Sequence, residues 1–263
     1  MKLFGFDRAD VRLIVNFCRM NLADRYLGSV LGGTWAILNP LFMFALFTFV
    51  FGFVFKAKLA NADSTMGYSI WLISGYGPWL AITEAFTSSS NSIIGNSGLI
   101  KNMSFKTEIL PISMTFLGFV PLVVSIVFLL LLQIINGDGL SWRLMLIPLI
   151  AAVQFTFLVG IGIFLAIINT FIRDFGIVLP NLLMILLFST PIFYPIEAMP
   201  SIVRALTVIN PFYIIVQSYR FAILDNQIFP TISLTILMII SIVLIWIGLG
   251  VFRRVKGFLP SLV

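Results

Sequence analysis

The fold of this chain is decided between positions 173 and 212, in a stretch that reads RDFGIVLPNLLMILLFSTPIFYPIEAMPSIVRALTVINPF. A charged pair opens the stretch, and a long apolar run follows it. Pro191, Pro195 and Pro200 break this run late, because proline removes a backbone donor and clashes with the preceding helical turn. An Asn-Pro pair then leads into a second apolar run that is too short to cross a bilayer. This order predicts a membrane segment that enters, breaks and turns back.

The composition predicts an integral membrane protein. Of the 263 residues, 60% are hydrophobic and only 10% are charged, and the mean hydropathy is +1.11. Soluble domains carry far more charge. The basic residues flank apolar runs and form no patch, which argues against nucleic acid as a partner. A single cysteine, Cys18, excludes an internal disulfide, and the lack of histidine removes a favoured metal ligand and general base, so we expect no metal site.

Six apolar runs have the roughly twenty residues that a helix needs to cross about 30 Å of hydrocarbon. They cover residues 34–55, 68–87, 112–135, 144–171, 175–194 and 231–252. Six crossings put both termini on one side, which carries eleven of the sixteen lysines and arginines and is therefore cytoplasmic by the positive-inside rule. The prediction is a single all-α transmembrane domain over residues 1–263. Within it, Pro121 predicts a kink, and Gly160 and Gly162 predict close helix approach.

Residues 6–27 predict an amphipathic helix outside the crossings. Its two faces differ in polarity at helical spacing. The apolar face contains Val11, Ile14, Val15, Cys18 and Leu22, and the polar face contains Arg8, Arg12, Asn16 and Arg19. Such a helix either lies in the membrane surface or packs on the rest of the chain from the cytosol, and the pattern favours neither.

The second apolar run is unusual because Gly75, Gly77 and Pro78 interrupt it and Glu84 lies near its cytoplasmic end. An ionisable group inside a membrane is a functional candidate. Glu84 is close enough to the interface to reach water or to pair with an arginine of the amphipathic helix. We favour this structural role over a role in substrate binding.

The cytoplasmic loop at residues 95–111 predicts one short helix outside the membrane, ended by Pro111. It combines charged side chains with apolar side chains that are expected to be exposed. These are Leu99, Ile100, Met103 and Phe105 beside Lys101, Lys106 and Glu108. Exposed apolar side chains on a small helix indicate a docking surface for a partner. The alternative is an interfacial helix that lies on lipid.

Residues 195–230 follow the prolines and predict short helices at the outer side. The run at 212–224 covers about 20 Å as a helix, less than the hydrocarbon core, so it dips into the outer leaflet and returns, or lies along it. Broken backbone at membrane depth persists only where protein or water covers it. This segment therefore predicts a gate beside a cavity or a subunit interface.

Motifs of catalysis and energy conversion are missing from the sequence. It contains no phosphate-binding GxxxxGK[ST], no HExxH and no GxSxG, and Glu84 is the one acid that could serve proton coupling. We therefore expect no catalytic site and no cofactor in this chain, and an energy source in another chain. The first crossing instead carries two phenylalanine stripes, Phe42, Phe49 and Phe53 on one face and Phe44, Phe47, Phe51 and Phe55 on another. Such faces stack on sugar rings or line a passage, although lipid contact and helix packing explain most of them equally well.

Three segments together resemble the permease subunits of type-2 ABC exporters that move polysaccharides, including O-antigen, capsule and teichoic-acid permeases. The segment DRYLGSVLGGTWAILNPL, residues 24–41, is similar to the family's approach to the first crossing, and NSGLIKNMSFKTEILPIS is similar to its coupling loop. The opening stretch resembles its last signature. That signature is matched in order by Arg173, Asp174, Pro180, Pro191, Tyr194, Pro195, Pro200, Asn210 and Pro211. Lys106 departs from the pattern, because many relatives have proline there.

The resemblance implies a homodimer in the bacterial cytoplasmic (inner) membrane, paired with two copies of a separate ATPase that binds ATP and Mg²⁺. It implies a lipid-linked glycan as cargo, O-antigen above all, with membrane lipid around the chain. The residues that would couple this chain to the ATPase are Leu99, Ile100, Met103, Phe105, Lys106 and Glu108. Arg173 and Asp174 form a cytoplasmic hinge or, equally, a topology anchor. The gate comprises Pro191, Tyr194, Pro195, Pro200, Asn210 and Pro211, and the channel lining Trp35, Phe42, Phe49, Phe53 and Phe188.

Other functions fit the same helices. An exporter of drugs or simple lipids would differ in its lining. A membrane enzyme that transfers lipid-linked sugars would depend on Glu84, Asp174 or Glu197. A non-transporting assembly scaffold would tolerate changes in the lining aromatics.

Overall fold

The computed structural model describes residues 5–54, 65–102, 105–137, 139, 141–224 and 228–259. This part of the chain is helical without any β-strand, as the composition predicts. Its α-helices are α1 Arg8–Asp24, α2 Trp35–Phe47, α3 Thr65–Ser90, α4 Ser97–Asn102, α5 Ile109–Thr115, α6 Phe119–Asn136, α7 Ile147–Phe171, α8 Phe175–Ser189, α9 Ser201–Thr207, α10 Pro211–Ile223 and α11 Thr231–Val255.

Four continuous helical segments are long and apolar enough to cross a membrane. They are Gly32–Val54, Ile109–Asn136, Trp142–Phe171 and Thr231–Phe258, which match the first, third, fourth and sixth predicted crossings. The pair α9 and α10 would make a fifth as one broken segment, with an 80° bend between the two helices. By length and composition, therefore, the described residues contain four or five candidate spans and not the predicted six.

The second predicted crossing falls outside these four because the polar and glycine residues of α3 lower its hydropathy. It has 26 residues, which is long enough to span, and it contacts α5, α6, α7 and α10. Its buried residues include Ser69, Ser74 and Ser89, which lower its hydropathy without facing lipid. Gly75, Gly77 and Pro78 do not interrupt the helix, contrary to our expectation. Gly75 and Gly77 are instead places where neighbouring elements approach α3, and an added Cβ would be crowded at both positions.

The fifth predicted crossing ends earlier than expected. Helix α8 has 15 residues and stops at Ser189, whereas the apolar run continues to Tyr194. Pro191 and Pro195 cannot supply the N–H groups that would extend the helix. At 1.5 Å per residue, α8 covers about 22 Å.

Small residues set two further helix contacts, as the sequence indicates. A Cβ on Gly160 would lie 2.9 Å from the Cβ of Leu244 in α11, and one on Gly162 would lie 2.5 Å from the Ser89 hydroxyl in α3. Both predictions of close approach are thus confirmed. Near Pro121 the third crossing is interrupted by a 3-10 segment at Phe116–Gly118. This is consistent with the missing N–H of Pro121, which leaves the Leu117 carbonyl without its helical donor.

Candidate functional site

Two regions at opposite ends of α3 contain most of the predicted site residues. We call the first the α1 end, which comprises α1, α4, residues 105–108 and the last turn of α11. We call the second the break, which comprises residues 190–200 between α8 and α9. Helix α10 runs antiparallel to α3, because Arg220 lies over Trp71 while Phe212 contacts Trp79 and Phe86.

At the α1 end, the predicted docking helix is α4, and it is less exposed than expected. Ile100 is buried in a core cluster with Ile93 and Leu110, so it is not a free docking side chain. Leu99 is half-buried, and Met103 lies outside the described residues. Pro111 does not end this helix, because α4 stops at Asn102. It lies instead in the first turn of α5, where a missing N–H costs nothing.

Residues 105–108, which follow the docking helix, are bound to two other elements. The Lys106 ammonium donates to Asp10 Oδ2 at 2.5 Å and to the Gly5 carbonyl at 2.9 Å. The Phe105 ring packs on Phe17 of α1, with 5.7 Å between ring centroids. These side chains lie in the loop at residues 95–111, as the sequence shows, but their partners within the chain were not predicted.

Glu108 is the third side chain that ties down this segment. Its Oε1 accepts a hydrogen bond from Arg253 Nε, in the last turn of α11, at 3.2 Å. The residue is 2% exposed, and Oε2 has no hydrogen-bond partner among the described residues. A buried carboxylate of this kind depends strongly on its cation.

Asp10 combines a structural role in α1 with its ion pair. Asp7 caps the helix by accepting from the N–H groups of Ala9 and Asp10, and the Asp10 carboxylate accepts from the Asp7 N–H at 2.8 Å. The hydrogen bond from Lys106 holds the pKa of Asp10 below its usual range. This carboxylate is therefore charged throughout the physiological range.

Helix α1 divides its predicted apolar face between protein and surroundings. Ile14 packs against the core cluster that contains Ile93 and Leu110, whereas Val11 and Val15 remain 54% and 45% exposed. One side of the helix therefore packs on the chain, and an adjoining apolar side is exposed.

Glu84 pairs with an arginine, as we favoured. Its Oε1 accepts hydrogen bonds from Arg25 Nη1 and from the Ser88 hydroxyl, the latter at 2.6 Å. Arg25 is the residue after the last turn of α1. The C-terminal end of α1 is therefore joined to α3.

Arg173 and Asp174 lie exposed in the turn between α7 and α8. Asp174 precedes α8 without a side-chain capping bond. This turn is held by a residue that sequence reasoning missed. Asn169 Nδ2 donates to the Ser90 carbonyl at 3.0 Å and to Asn91 Oδ1 at 3.1 Å, which joins the turn to the end of α3.

The break is held by Arg220, which we had counted only as a topology charge. Its Nη1 and Nη2 donate to the carbonyls of Pro191 and Ile192, both at 2.9 Å, and its guanidinium carbon lies 3.9 Å from the Trp71 ring centroid. Pro195 has no N–H, so a helix could not satisfy the Pro191 carbonyl. The arginine replaces the missing donor. The sequence feature that could have identified Arg220 is its position as a cation inside a short apolar run.

The other predicted gate residues gather around the same break, with one exception. The Tyr194 hydroxyl donates to the Phe188 carbonyl at 2.5 Å. Asn210 caps α10 by accepting from the Phe212 N–H, and its amide donates to Thr190 Oγ1 at 3.3 Å. Pro211 is the first residue of α10, where proline is favoured. Pro200 lies apart, exposed before α9.

Helix α10 is fixed along its length by polar contacts with α6, α7 and the segment before α7. The Tyr219 hydroxyl donates to Gln154 Oε1 at 2.8 Å. Gln133 Nε2 donates to the Ile223 carbonyl at 2.6 Å, and Arg143 Nη1 donates to the Leu224 carbonyl at 3.3 Å. By contrast, Ile202 and Leu206 of α9 are exposed. Helix α10 is thus held by hydrogen bonds to neighbouring elements, whereas α9 leaves these apolar side chains exposed.

Comparison with protein families gives a match over most of the chain. The family model described as ABC-2 type transporter matches residues 12–224. The chain belongs to the ABC-2 type transporter family. The match contains α2 to α10, the residues 105–108 and the break.

Curated relatives of this ABC-2 chain are similar over nearly their whole length. The O-antigen export system permease protein RfbA of Myxococcus xanthus is 26% identical over 256 residues, which are 95% of each chain. A protein of the same name from Klebsiella pneumoniae is 29% identical over 93% of this chain and 92% of its own length. The polysialic acid transport protein KpsM of Escherichia coli is 24% identical over 98% of both chains.

The two phenylalanine stripes of this ABC-2 chain have different surroundings. Phe44 is buried, and Phe47 and Phe51 pack on Phe193 of the break, with 4.7 and 5.0 Å between ring centroids. The expected lining residues are more exposed. Phe42, Phe49, Phe53 and Phe188 are 50–61% exposed, and Trp35 is half-buried. Phe55 lies outside the described residues.

Proposed function

We propose that this chain is the membrane-spanning permease subunit of an ATP-driven exporter that moves a lipid-linked polysaccharide, with O-antigen as the favoured cargo. One observation carries the proposal: a match to the ABC-2 type transporter model over residues 12–224, joined with near full-length similarity to relatives named for O-antigen export and polysialic acid transport. The chain itself then has no catalytic step. ATP and Mg²⁺ belong to a separate ATPase partner.

In this proposal the chain crosses the bacterial cytoplasmic membrane six times, with both termini in the cytoplasm. The four apolar segments supply four crossings. Helix α3 supplies the second, since 26 residues are long enough and its polar side chains are covered by protein. Helix α8 with the extended residues up to Tyr194 supplies the fifth. The pair α9 and α10 enters from the outer side and returns, which an 80° bend permits.

Two copies of the chain and two ATPase subunits form the proposed assembly. The exposed apolar faces of α2 and α8 support a shared interface between the two copies, because large exposed apolar surfaces mark places of association. Phe42, Phe49, Phe53 and Phe188 then line the glycan path, with Trp35 at its cytoplasmic side. Aromatic rings suit this task because they stack on the apolar faces of sugars.

At the α1 end, α4 docks on the ATPase through Leu99, Met103 and the exposed side of the helix. Phe105, Lys106 and Glu108 connect this dock to the membrane helices. Arg173 and Asp174 act as a hinge at the cytoplasmic mouth. At the break, Pro191, Tyr194, Pro195, Pro200, Asn210 and Pro211 form the outer gate.

Reconstitution tests this function directly. The chain is incorporated into proteoliposomes with its ATPase, and a fluorescent lipid-linked O-antigen-type glycan is added on the ATPase side. We expect ATP-dependent protection of the glycan inside the vesicles. Protection should be absent without the ATPase, and absent with an ATPase variant that binds ATP but does not hydrolyse it.

The same vesicles separate the alternatives. Equal glycan movement without ATPase and ATP would disprove coupling. Movement of a labelled phospholipid or drug in place of the glycan would indicate another exporter class. A covalent glycan product, abolished by Glu84→Gln, Asp174→Asn or Glu197→Gln, would indicate a transferase.

A further inference from the structure

We propose that two ion pairs, Asp10–Lys106 and Glu108–Arg253, form one linkage that transmits movement of the docking helix α4 to α1 and α11. The inference rests on the proposed function, and it assigns positioning roles in coupling to Asp10 and Arg253. Neither residue lies in the docking loop.

The first argument is the short distance along the chain. Helix α4 ends at Asn102 and α5 begins at Ile109. The chain between them spans no more than about 3.3–3.6 Å per residue when fully extended. Three of its last four residues are bound: Phe105 and Lys106 to α1, and Glu108 to α11. A shift of α4 that exceeds this reach therefore pulls on both partners.

The second argument is that the two ion pairs meet at one glycine. The Gly5 carbonyl accepts from Lys106 Nζ at 2.9 Å. A Cβ on Gly5 would lie 3.1 Å from Arg253 Nη2, and Gly5 has φ +86°, a conformation that favours glycine. The Lys106 ammonium and the Arg253 guanidinium thus both lie close to Gly5. The pairs form a single cluster and not two separate contacts.

The third argument is burial. Glu108 is 2% exposed, and the side chain of Asp10 is 10% exposed. The cations are less covered, because the side chains of Lys106 and Arg253 are 41% and 42% exposed. A buried carboxylate that loses its cation is left without compensation, so each pair should persist during small displacements. This is the property that a mechanical connection requires.

The linkage extends to the centre of the molecule through α1. One end of α1 is tied to residues 105–108 by Asp10–Lys106, and its other end is tied to α3 by Arg25–Glu84. About 22 Å of helix separates the two ties at 1.5 Å per residue. Helix α1 can thus act as a lever on α3, whose Trp71 lies under the arginine that holds the break.

The role of the Asp10–Lys106 pair is tested in this chain itself. The assay is the proteoliposome assembly described above, with glycan exported per ATP hydrolysed as the readout. A merely structural contact would change the amount of assembled complex but not this ratio.

The test compares variants that break the linkage with matched controls. Lys106→Met, Asp10→Asn and Arg253→Met should each lower the export ratio at least fivefold, while the ATPase still copurifies and hydrolyses ATP. Lys106→Arg keeps the ion pair and should stay within twofold of the wild type. Asp24→Asn in α1 and Arg254→Met in α11 change equal charges at exposed positions and should have no effect.

Double variants identify the connection. Asp10→Asn with Lys106→Met should be no worse than either single change, because both remove the same link. Lys106→Met with Arg253→Met should be worse than either. Unchanged ratios in the single variants would overturn the linkage, as would loss of export in proportion to lost assembly. A wild-type complex that exports no glycan would instead refute the proposed function.

Discussion

At the scale of residues, Gly77 determines how closely α3 and α6 approach. A Cβ at this position would lie 2.5 Å from the Cβ and 2.4 Å from the hydroxyl of Ser125. Both residues lie in packed helices, and the Ser125 Cβ is fixed by its own backbone, so it cannot move aside unless that backbone shifts. The glycine that interrupts an apolar pattern in the sequence is therefore a packing requirement in the structure.

Gly77→Ala should destabilise the protein by about 1–3 kcal/mol through overpacking. The measurement is thermal unfolding in detergent, followed by loss of monodisperse protein. Gly250→Ala is the matched control, because its Cβ would meet nothing within 4 Å, and a helical alanine is slightly favoured there. Adding Ser125→Gly should recover part of the loss. No recovery would contradict the contact as the cause.

Asp10 gives the α1 end a dependence on acid pH. Its pKa lies below the usual value because Lys106 bonds to the charged form. The stabilisation is therefore complete above the unfolded-state pKa and is lost as the pH falls through the lower, folded-state pKa. Above about pH 4 the contact should not change with pH.

A nitroxide on Cys18, the one cysteine of the chain, can report this loss. Label mobility should stay low from pH 7 to about pH 4 and rise below it as Asp10 takes up a proton. In Asp10→Asn the label should already be more mobile at pH 7, with a smaller change in acid. Identical titrations in the two proteins would show that other carboxylates govern the docking of α1.

At the scale of elements, the break between α8 and α9 depends on α10. Prolines stop α8 and leave carbonyls that no helical N–H can satisfy. Arg220 on α10 supplies two donors, and the Tyr68 hydroxyl of α3 supplies another to the Phe193 carbonyl at 3.2 Å. The extended segment therefore survives at this depth because two helices cover its backbone.

Arg220→Met should loosen residues 190–199, because two buried carbonyls lose their donors at about 1–3 kcal/mol each. Hydrogen exchange in these residues should rise by an order of magnitude or more, while exchange in α7 stays unchanged. Arg220→Lys should give an intermediate result, since an ammonium cannot lie flat on Trp71 and bridge both carbonyls. Arg19→Met on α1 serves as the control. Equal exchange in all proteins would rule out the arginine as the brace.

At the scale of the whole molecule, the number of crossings depends on whether α3 spans the membrane. If only the four apolar segments crossed the membrane, Gly95 would lie outside and Gly139 inside. The six-crossing arrangement puts them on the opposite sides. With α3 and α8 as crossings, Gly95 and Ile172 lie inside, and Gly139 and Ile228 lie outside. All four positions are exposed, so a reagent can reach them.

Single cysteines decide between these arrangements. In a Cys18→Ser background, Gly139→Cys and Ile228→Cys should react with an impermeant maleimide on intact spheroplasts. Gly95→Cys and Ile172→Cys should react only after permeabilisation. Labelling of Gly95→Cys from outside would show that α3 does not cross.

The sequence by itself determined the helical class, the four apolar segments and the close approach at Gly160 and Gly162. Each of these depends on composition, run length or small residues, which are local properties. It also located the break, because three prolines within ten residues cannot continue a helix.

Only the tertiary structure decided which faces are covered. It buried α3 in the centre, separated the two phenylalanine stripes, divided the apolar face of α1 and brought Arg220 to the Pro191 carbonyl. The physical reason is that lipid and protein interior are equally apolar. A helix that is apolar all round carries no pattern that distinguishes them, and partners such as Lys106 for Asp10, far apart in the chain, meet only when the helices pack.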